Sequence, residues 1–156
     1  LIDVLKKEIL SVDKKIETLI EQNKDFKEKA DVLCTISGIG KIIAASLIGL
    51  TPELGLLNRR QIASLTGVAP HPNESGKKIG YRSTRGGRQE LRPILFLAAM
   101  TASRSKSSLG DFYRRLVHSG KKKMVALTAL MRKIIVIANA RIKEFLLQQN
   151  ISIQHS

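Results

Sequence analysis

The apolar periodicity of an α-helix runs through most of this chain and fails once, over VAPHPNESGKKIGYRSTRGGR at residues 68–88. Pro70 and Pro72 lack a backbone N–H and fix φ, so neither continues a helix. Gly76, Gly80, Gly86 and Gly87 loosen the backbone further and offer no side chain to a core. The chain is therefore expected to fold as helices around one core, interrupted by a single long irregular element with a short extended piece at about residues 78–82. Connections of this length inside a compact domain are usually functional or disordered. The polar, basic composition leaves two readings open: a solvated linker, or the floor of a site that handles phosphate.

On the N-terminal side of that break, Ile2, Ile9, Ile16 and Asn23 fall at heptad position a, and Leu5, Val12, Leu19 and Phe26 at position d. Opposite charges stand four residues apart on the flanks, as in Asp3 to Lys7 and Asp25 to Lys29. This is the pattern of a two-stranded parallel coiled coil in which one polar residue, Asn23, fixes the register. The alternative is one amphipathic helix packed on its own domain. Leu1 already belongs to the periodic segment, so the sequence is expected to be a piece of a longer protein.

Next, VLCTISGIGKIIAASLIGL at residues 32–50 reads as a short apolar helix, a turn at Gly38, Ile39 and Gly40, and a second helix from Lys41, a helix-hairpin-helix pattern. The glycines permit a tight turn and a close approach, and the first N–H groups of the following helix, with Lys41, suit a phosphate. A purely structural turn is the alternative. Asn58 is a fitting N-cap for a helix over about 58–66, which Gly67 stops. Helix resumes near Arg88, with Pro93 in its first turn and an inner face of Leu91, Leu95, Ala98, Ala99 and Ala102. Two more helices follow, over about 109–119 and 121–149; the last is apolar enough, through Val125, Leu127, Leu130, Ile134, Ile137 and Phe145, to be the central core helix. The expected fold class is mainly α: an N-terminal coiled-coil helix, then a compact helical domain with a helix-hairpin-helix element and one long irregular loop. Residues 1–30 form the arm or linker, 31–150 the domain and 151–156 a tail.

The formal charge is +14, from 27 Lys and Arg against 13 Asp and Glu. Residues 1–31 hold eight of those acids and seven of the bases, so residues 32–156 hold five acids against twenty bases. No acid stands between Asp111 and Glu144, while Arg114, Arg115, Lys121, Lys122, Lys123, Arg132, Lys133, Arg141 and Lys143 accumulate there. A one-signed surface attracts polyanions, and nucleic acid is the expected partner. An anionic membrane surface or mere solubility are the alternatives. Lys121, Lys122 and Lys123 open a helix, where the dipole disfavours cations. Phosphate binding explains them better than helix stability does.

Other function classes find little support. No apolar run approaches the roughly 18 residues a membrane-spanning helix needs. The single Cys34 excludes an internal disulfide and a multi-thiolate metal site, fits a reducing cytosol, and reads as a small buried hydrophobe. His71, His118 and His155 have no ligand spacing, and Glu53, Glu74, Glu90, Asp111 and Glu144 stand singly. A divalent-metal nuclease needs carboxylates that converge on the ions. No metal site and no cofactor is therefore expected within this chain.

Inside the irregular segment, Ser75 sits between Glu74 and Gly76, where a small hydroxyl is accessible. By composition alone it is an ordinary loop serine, since a hydroxyl is a poor nucleophile until a base or a positive field activates it. Lys77, Lys78, Arg82, Arg85, Arg88 and Arg92 follow it, charges suited to neutralising a phosphodiester and its pentavalent transition state.

The succession ISGIGKIIAASLIGL, RRQIASLTGVAPHPNESG, RSTRGGRQELRPILFLAAMTA and FYRRLVHSGKKKMVALTALMRKI, over roughly residues 32–138, resembles the C-terminal domain of the DEDD transposases of bacterial insertion sequences, the IS-one-ten type. In that family the recombination nucleophile is a serine in a Ser-Gly pair a few residues after a Gly-x-x-Pro segment. Gly67-Val68-Ala69-Pro70 and Ser75-Gly76 match it, so the resemblance implies that Ser75 is the nucleophile and forms a covalent phosphoserine link to DNA. It further implies that the arm is the linker to an RNase-H-like N-terminal domain outside this chain, whose four acids hold Mg2+ in a composite site. A structured guide RNA, homo-oligomerisation through the coiled coil and a place in the bacterial cytoplasm at the nucleoid belong to the same expectation. Ser37 departs from the proline that often precedes Gly-Ile-Gly, and Thr84 from a common serine; neither removes the matched Ser75.

Arg82, Arg85 and Arg88 fall in the family's basic segment and are expected to hold the scissile phosphate, against the reading of a solvated charge run. Tyr81 and Tyr113 either stack on bases or are half-buried. The expected function is strand cleavage and exchange in DNA transposition, with the isolated chain inactive for want of the metal-binding acids. The rival is a non-enzymatic helix-hairpin-helix module that binds DNA or RNA through its basic face and dimerises by its arm.

Overall fold

A capping side chain decides how the N-terminal arm meets the rest of the protein. In the computed structural model, which describes residues 1–71, 74–75, 78–79, 83–84 and 87–156 and the side chains of residues 1–69 and 87–156, α1 (Ile2–Gln22) ends where the heptads predict continuation. Asn23 is extended, at φ −113 and ψ 106, and its side chain accepts a hydrogen bond from the Phe26 N–H at 3.1 Å. That makes it the N-cap of α2 (Lys24–Cys34), satisfying a donor that the new helix would otherwise leave orphaned. The expected continuous seam is corrected accordingly: Asn23 starts a helix instead of setting a register. Ile20 is buried, and Ile16 and Phe26 are half-buried against the body. Ile2, Leu5, Ile9, Val12 and Leu19 stay exposed. The expected boundary at residue 30 falls inside α2, whose Ala30 and Leu33 are buried in the common core.

α3 (Lys41–Leu50) and α4 (Arg59–Leu65) follow. At the head of α4 the capping box is complete: the Asn58 side chain accepts from the Gln61 N–H and the Gln61 side chain accepts from the Asn58 N–H, both at 2.9 Å. The connection before it is fastened from the core. Asn139, in the last helix of the chain and only 4% exposed, accepts from the Gly55 N–H and donates to the Leu57 carbonyl, each at 2.8 Å.

α5 (Leu91–Ser103) presents the face the sequence predicts, with Leu91, Leu95, Ala98, Ala99 and Ala102 all buried. Its alanines keep that face low, so neighbouring backbones approach closely. α6 (Ser108–His118) leads to α7 (Lys123–Gln154), the longest of the seven helices among the described residues. α7 packs on α2, α4, α5 and α6 and buries Leu127, Leu130, Met131, Ile134, Ile135, Ala138 and Ile142, as the expected central helix should. Three details differ from expectation. Val125 is exposed, α7 runs on through most of the expected tail, and Cys34 is half-buried rather than in the core. Burial nevertheless pushes the Cys34 thiol up from its ordinary pKa.

The molecule is mainly α, and the described residues within 68–88 include two short strand pairs where one irregular loop is expected. β1 (Pro70–His71) pairs antiparallel with β4 (Ser83–Thr84), and β2 (Glu74–Ser75) pairs antiparallel with β3 (Lys78–Ile79), one ladder nested inside the other. Among the described residues no helix is long and apolar enough to cross a membrane.

Candidate functional site: a serine hairpin on a helical base

The nested hairpin leaves and re-enters the helical body at one neck. On the outgoing limb, the Val68 and Ala69 N–H groups donate to the Ala63 carbonyl at 3.0 and 3.1 Å, and Val68 is buried. On the returning limb the Arg88 N–H donates to the Leu65 carbonyl at 2.7 Å. Two glycines make the neck this narrow: Gly67 and Gly87 have φ of 73 and 78, and a Cβ on Gly87 would lie 2.3 Å from the Gly67 nitrogen. Beyond the neck the register is Pro70 with Thr84, His71 with Ser83, Glu74 with Ile79 and Ser75 with Lys78. Ser75 thus belongs to the outermost described pair, before a two-residue link. Gly76, Lys77, Tyr81, Arg82 and Arg85 lie outside the described residues, as do the side chains of Ser75 and Lys78.

Arg88 departs from the expected free clamp. Its Nη1 donates to the Leu50 carbonyl and to Glu53 Oε2, both at 2.8 Å, and its Nη2 donates to Glu53 Oε1. The bidentate hydrogen bond from Arg88 holds the Glu53 carboxyl down to about 2, well under its ordinary 4.5. Reading the sequence alone missed Glu53 as this partner, because the two residues are 35 apart with no local signal. Arg92 is half-buried in the first turn of α5.

The turn between α2 and α3 divides labour between its glycines. Gly38 has φ 93, and a Cβ there would lie 2.3 Å from the Ala98 carbonyl oxygen of α5. Gly40 is extended and exposed, with open space where a Cβ would stand, and it caps α3 without any side-chain hydrogen bond. Lys41 is exposed beside it, while Ile36 and Ile39 are buried and pin the turn. Arg141 of α7 donates to Thr35 Oγ1 at the same turn.

Lys121, Lys122 and Lys123 form a second exposed basic group at the α6–α7 turn, where Gly120 at φ 98 reverses the chain and Lys122 is the N-cap residue without a side-chain cap. Lys123 lies about 27 Å along α7 from Arg141, at 1.5 Å per residue. The two turns are therefore separate patches. Of the other bases in this acid-free stretch, Arg114 is structural, donating to the Ser103 and Ser105 carbonyls at 3.3 and 3.0 Å and to Asp111 at 2.7 Å. Lys133 stands 4.3 Å from the centroid of the Phe112 ring. Arg115, Arg132 and Lys143 are exposed, and Tyr113 is half-buried. Among the described residues no three His, Cys, Asp or Glu come together, and Glu53 is taken up by Arg88.

What stands out is a basic helical domain that holds a serine hairpin at a glycine neck. Residues 30–114, more than half of the chain, match the model of the Transposase IS116/IS110/IS902 family. The chain belongs to that family. It is 31% identical over 140 residues to the pilin gene-inverting protein of Moraxella bovis, covering 87% of this chain and 44% of that one, and equally to the protein of the same name from Moraxella lacunata. It is 23% identical over 145 residues to the insertion element IS116 uncharacterized 44.8 kDa protein of Streptomyces clavuligerus, covering 88% of this chain and 36% of that one. The chain spans less than half the length of these relatives.

Proposed function

We propose that this chain is the serine-bearing domain of a DNA transposase or recombinase, and that Ser75 is its nucleophile. The observation that carries the reading is the neck: both limbs of the glycine-rich, basic segment that bears Ser75 are fastened to α4 by backbone hydrogen bonds. Ser75 Oγ attacks the phosphorus of a DNA phosphodiester; the new serine–phosphate bond forms as the bond to one sugar oxygen breaks, and that oxygen takes up a proton as the serine gives one up. A second sugar hydroxyl then attacks the phosphorus of the phosphoserine; its oxygen–phosphorus bond forms as the serine–phosphate bond breaks, the hydroxyl gives up a proton as the serine oxygen takes one up, and a strand is rejoined. Lys77, Lys78, Arg82 and Arg85 neutralise charge at the phosphate, whereas Arg88 is already committed to Glu53.

DNA, and a structured guide RNA, bind the two exposed patches. At the α2–α3 turn, a helix-hairpin-helix reading has Gly40, Lys41 and the first N–H groups of α3 meeting one phosphate, with Gly38 setting the turn. Lys121, Lys122 and Lys123 meet another backbone. The exposed stripe of α1 pairs with a second copy. The Mg2+-binding acids of a composite site belong to a domain outside this chain.

The competing reading is a non-enzymatic nucleic-acid-binding module, which the same basic surface would also serve. The two part at Ser75. In the full-length protein, Ser75→Ala should abolish strand exchange and leave DNA affinity within about two-fold of wild type. Exchange at the wild-type rate would sink the nucleophile.

A further inference from the structure

In sequence Arg88 belongs to a basic run suited to phosphate, but its side chain reaches back beneath the hairpin to the α3–α4 connection. We propose that Arg88 and Glu53 are a positioning pair: their ion pair fastens the returning limb of the hairpin to that connection and so sets where Ser75 stands when the phosphodiester arrives. The proposal rests on the reading of Ser75 as the nucleophile.

The attachment is asymmetric. Among the described residues, the outgoing limb is held by two backbone hydrogen bonds to Ala63 and the returning limb by one, from the Arg88 N–H to Leu65. The guanidinium supplies the remainder, with Nη1 shared between the Leu50 carbonyl and Glu53 and Nη2 on the other carboxylate oxygen. A guanidinium engaged through both prongs of its fork has given up the geometry it would use on a phosphate. Its anchor is itself fastened: the connection bearing Glu53 is held by the Leu54 N–H on the Thr51 carbonyl at 3.0 Å and the Gly55 N–H on buried Asn139. The hairpin foot is thus tied to the central helix by a continuous run of contacts. Catalysis is sensitive to such placement, since an error of about 1 Å at a reacting atom costs on the order of 100-fold in rate.

The test uses the full-length protein and a duplex carrying the junction it recombines. Glu53→Gln keeps the size of the side chain and removes its charge, and Arg88→Lys keeps the charge and removes the fork. Both should slow single-turnover strand cleavage by about 10- to 100-fold while leaving DNA affinity and its salt dependence unchanged. Trypsin should cut faster within residues 72–86 in both. The double variant should be no slower than the worse single one, and the swap of Glu53→Arg with Arg88→Glu should recover part of the rate. Wild-type cleavage by Glu53→Gln would overturn the proposal. So would an Arg88→Lys defect that takes the form of weaker DNA binding with a shallower salt dependence, the behaviour of a phosphate ligand. Should Glu53→Gln unfold below the assay temperature, the swap decides: recovered cleavage supports the pair, and no recovery overturns it. Ser75→Ala separates the two layers. If it cleaves normally, the nucleophile reading falls and this proposal with it; if it is dead while Glu53→Gln cleaves normally, only the positioning pair falls.

Discussion

Glu53 shows how one side chain can give a residue a different role from the one its sequence neighbourhood suggests. Arg88 sits in a run of bases and reads as part of a phosphate clamp, yet an acid 35 positions earlier takes both prongs of its guanidinium. The carboxyl is held at about 2, under its ordinary 4.5, so the stability the pair contributes is complete above 4.5 and is lost as pH falls toward 2. The difference in unfolding midpoint between the wild type and Glu53→Gln should therefore shrink across that window on acidification. A difference that stays constant there would show that the pair does not form. Such a partnership was not legible in the sequence, because pairing across that separation depends on where α4 and the hairpin neck bring the chain back. Asn58 was legible for the opposite reason: its capping box closes within three residues, where spacing alone fixes the geometry.

At the scale of elements, the α2–α3 turn carries two glycines with different duties. Gly38→Ala forces a Cβ against the Ala98 carbonyl from a backbone at φ 93, and should destabilise the protein by about 2–4 kcal/mol. Gly40→Ala meets open space in an extended residue, and should change stability by no more than about 0.5 kcal/mol. Chemical denaturation of both variants checks the contrast, and equal losses would contradict it. The inner face of α5 is legible in full because a 3.6-residue period repeats along it. The break at Asn23 is not, because heptad spacing and an N-cap both accept asparagine, and only packing of Ile20 and Phe26 onto the body decides between them. The nested ladders of the serine segment are largely invisible as well. Two-residue strands are too short for any alternation to show, and their closure depends on the close approach of Gly67 and Gly87.

For the whole molecule, the charge balance announced a polyanion partner but not how the surface is divided. Arg114 and Arg141 are spent on carbonyls, a carboxylate and a hydroxyl, while Lys121, Lys122 and Lys123 stand exposed on a turn remote from Lys41. Replacing those three lysines by glutamine in the full-length protein should lower the slope of log affinity against log salt by about two to three, at roughly 0.9 for each phosphate that is no longer neutralised. An unchanged slope would remove the turn from the interface. The candidate nucleophile rests on a resemblance to a family, since nothing in composition distinguishes Ser75 from its neighbouring hydroxyls; the structure adds the glycine neck at which the two limbs of its segment meet α4. The most direct measurement is to offer the full-length protein a nicked suicide duplex, under conditions in which recombination proceeds, and map any covalent protein–DNA adduct by mass spectrometry. The account predicts a phosphodiester link on the peptide containing Ser75, absent in Ser75→Ala; recombination with no adduct, or an adduct on another residue, would contradict it.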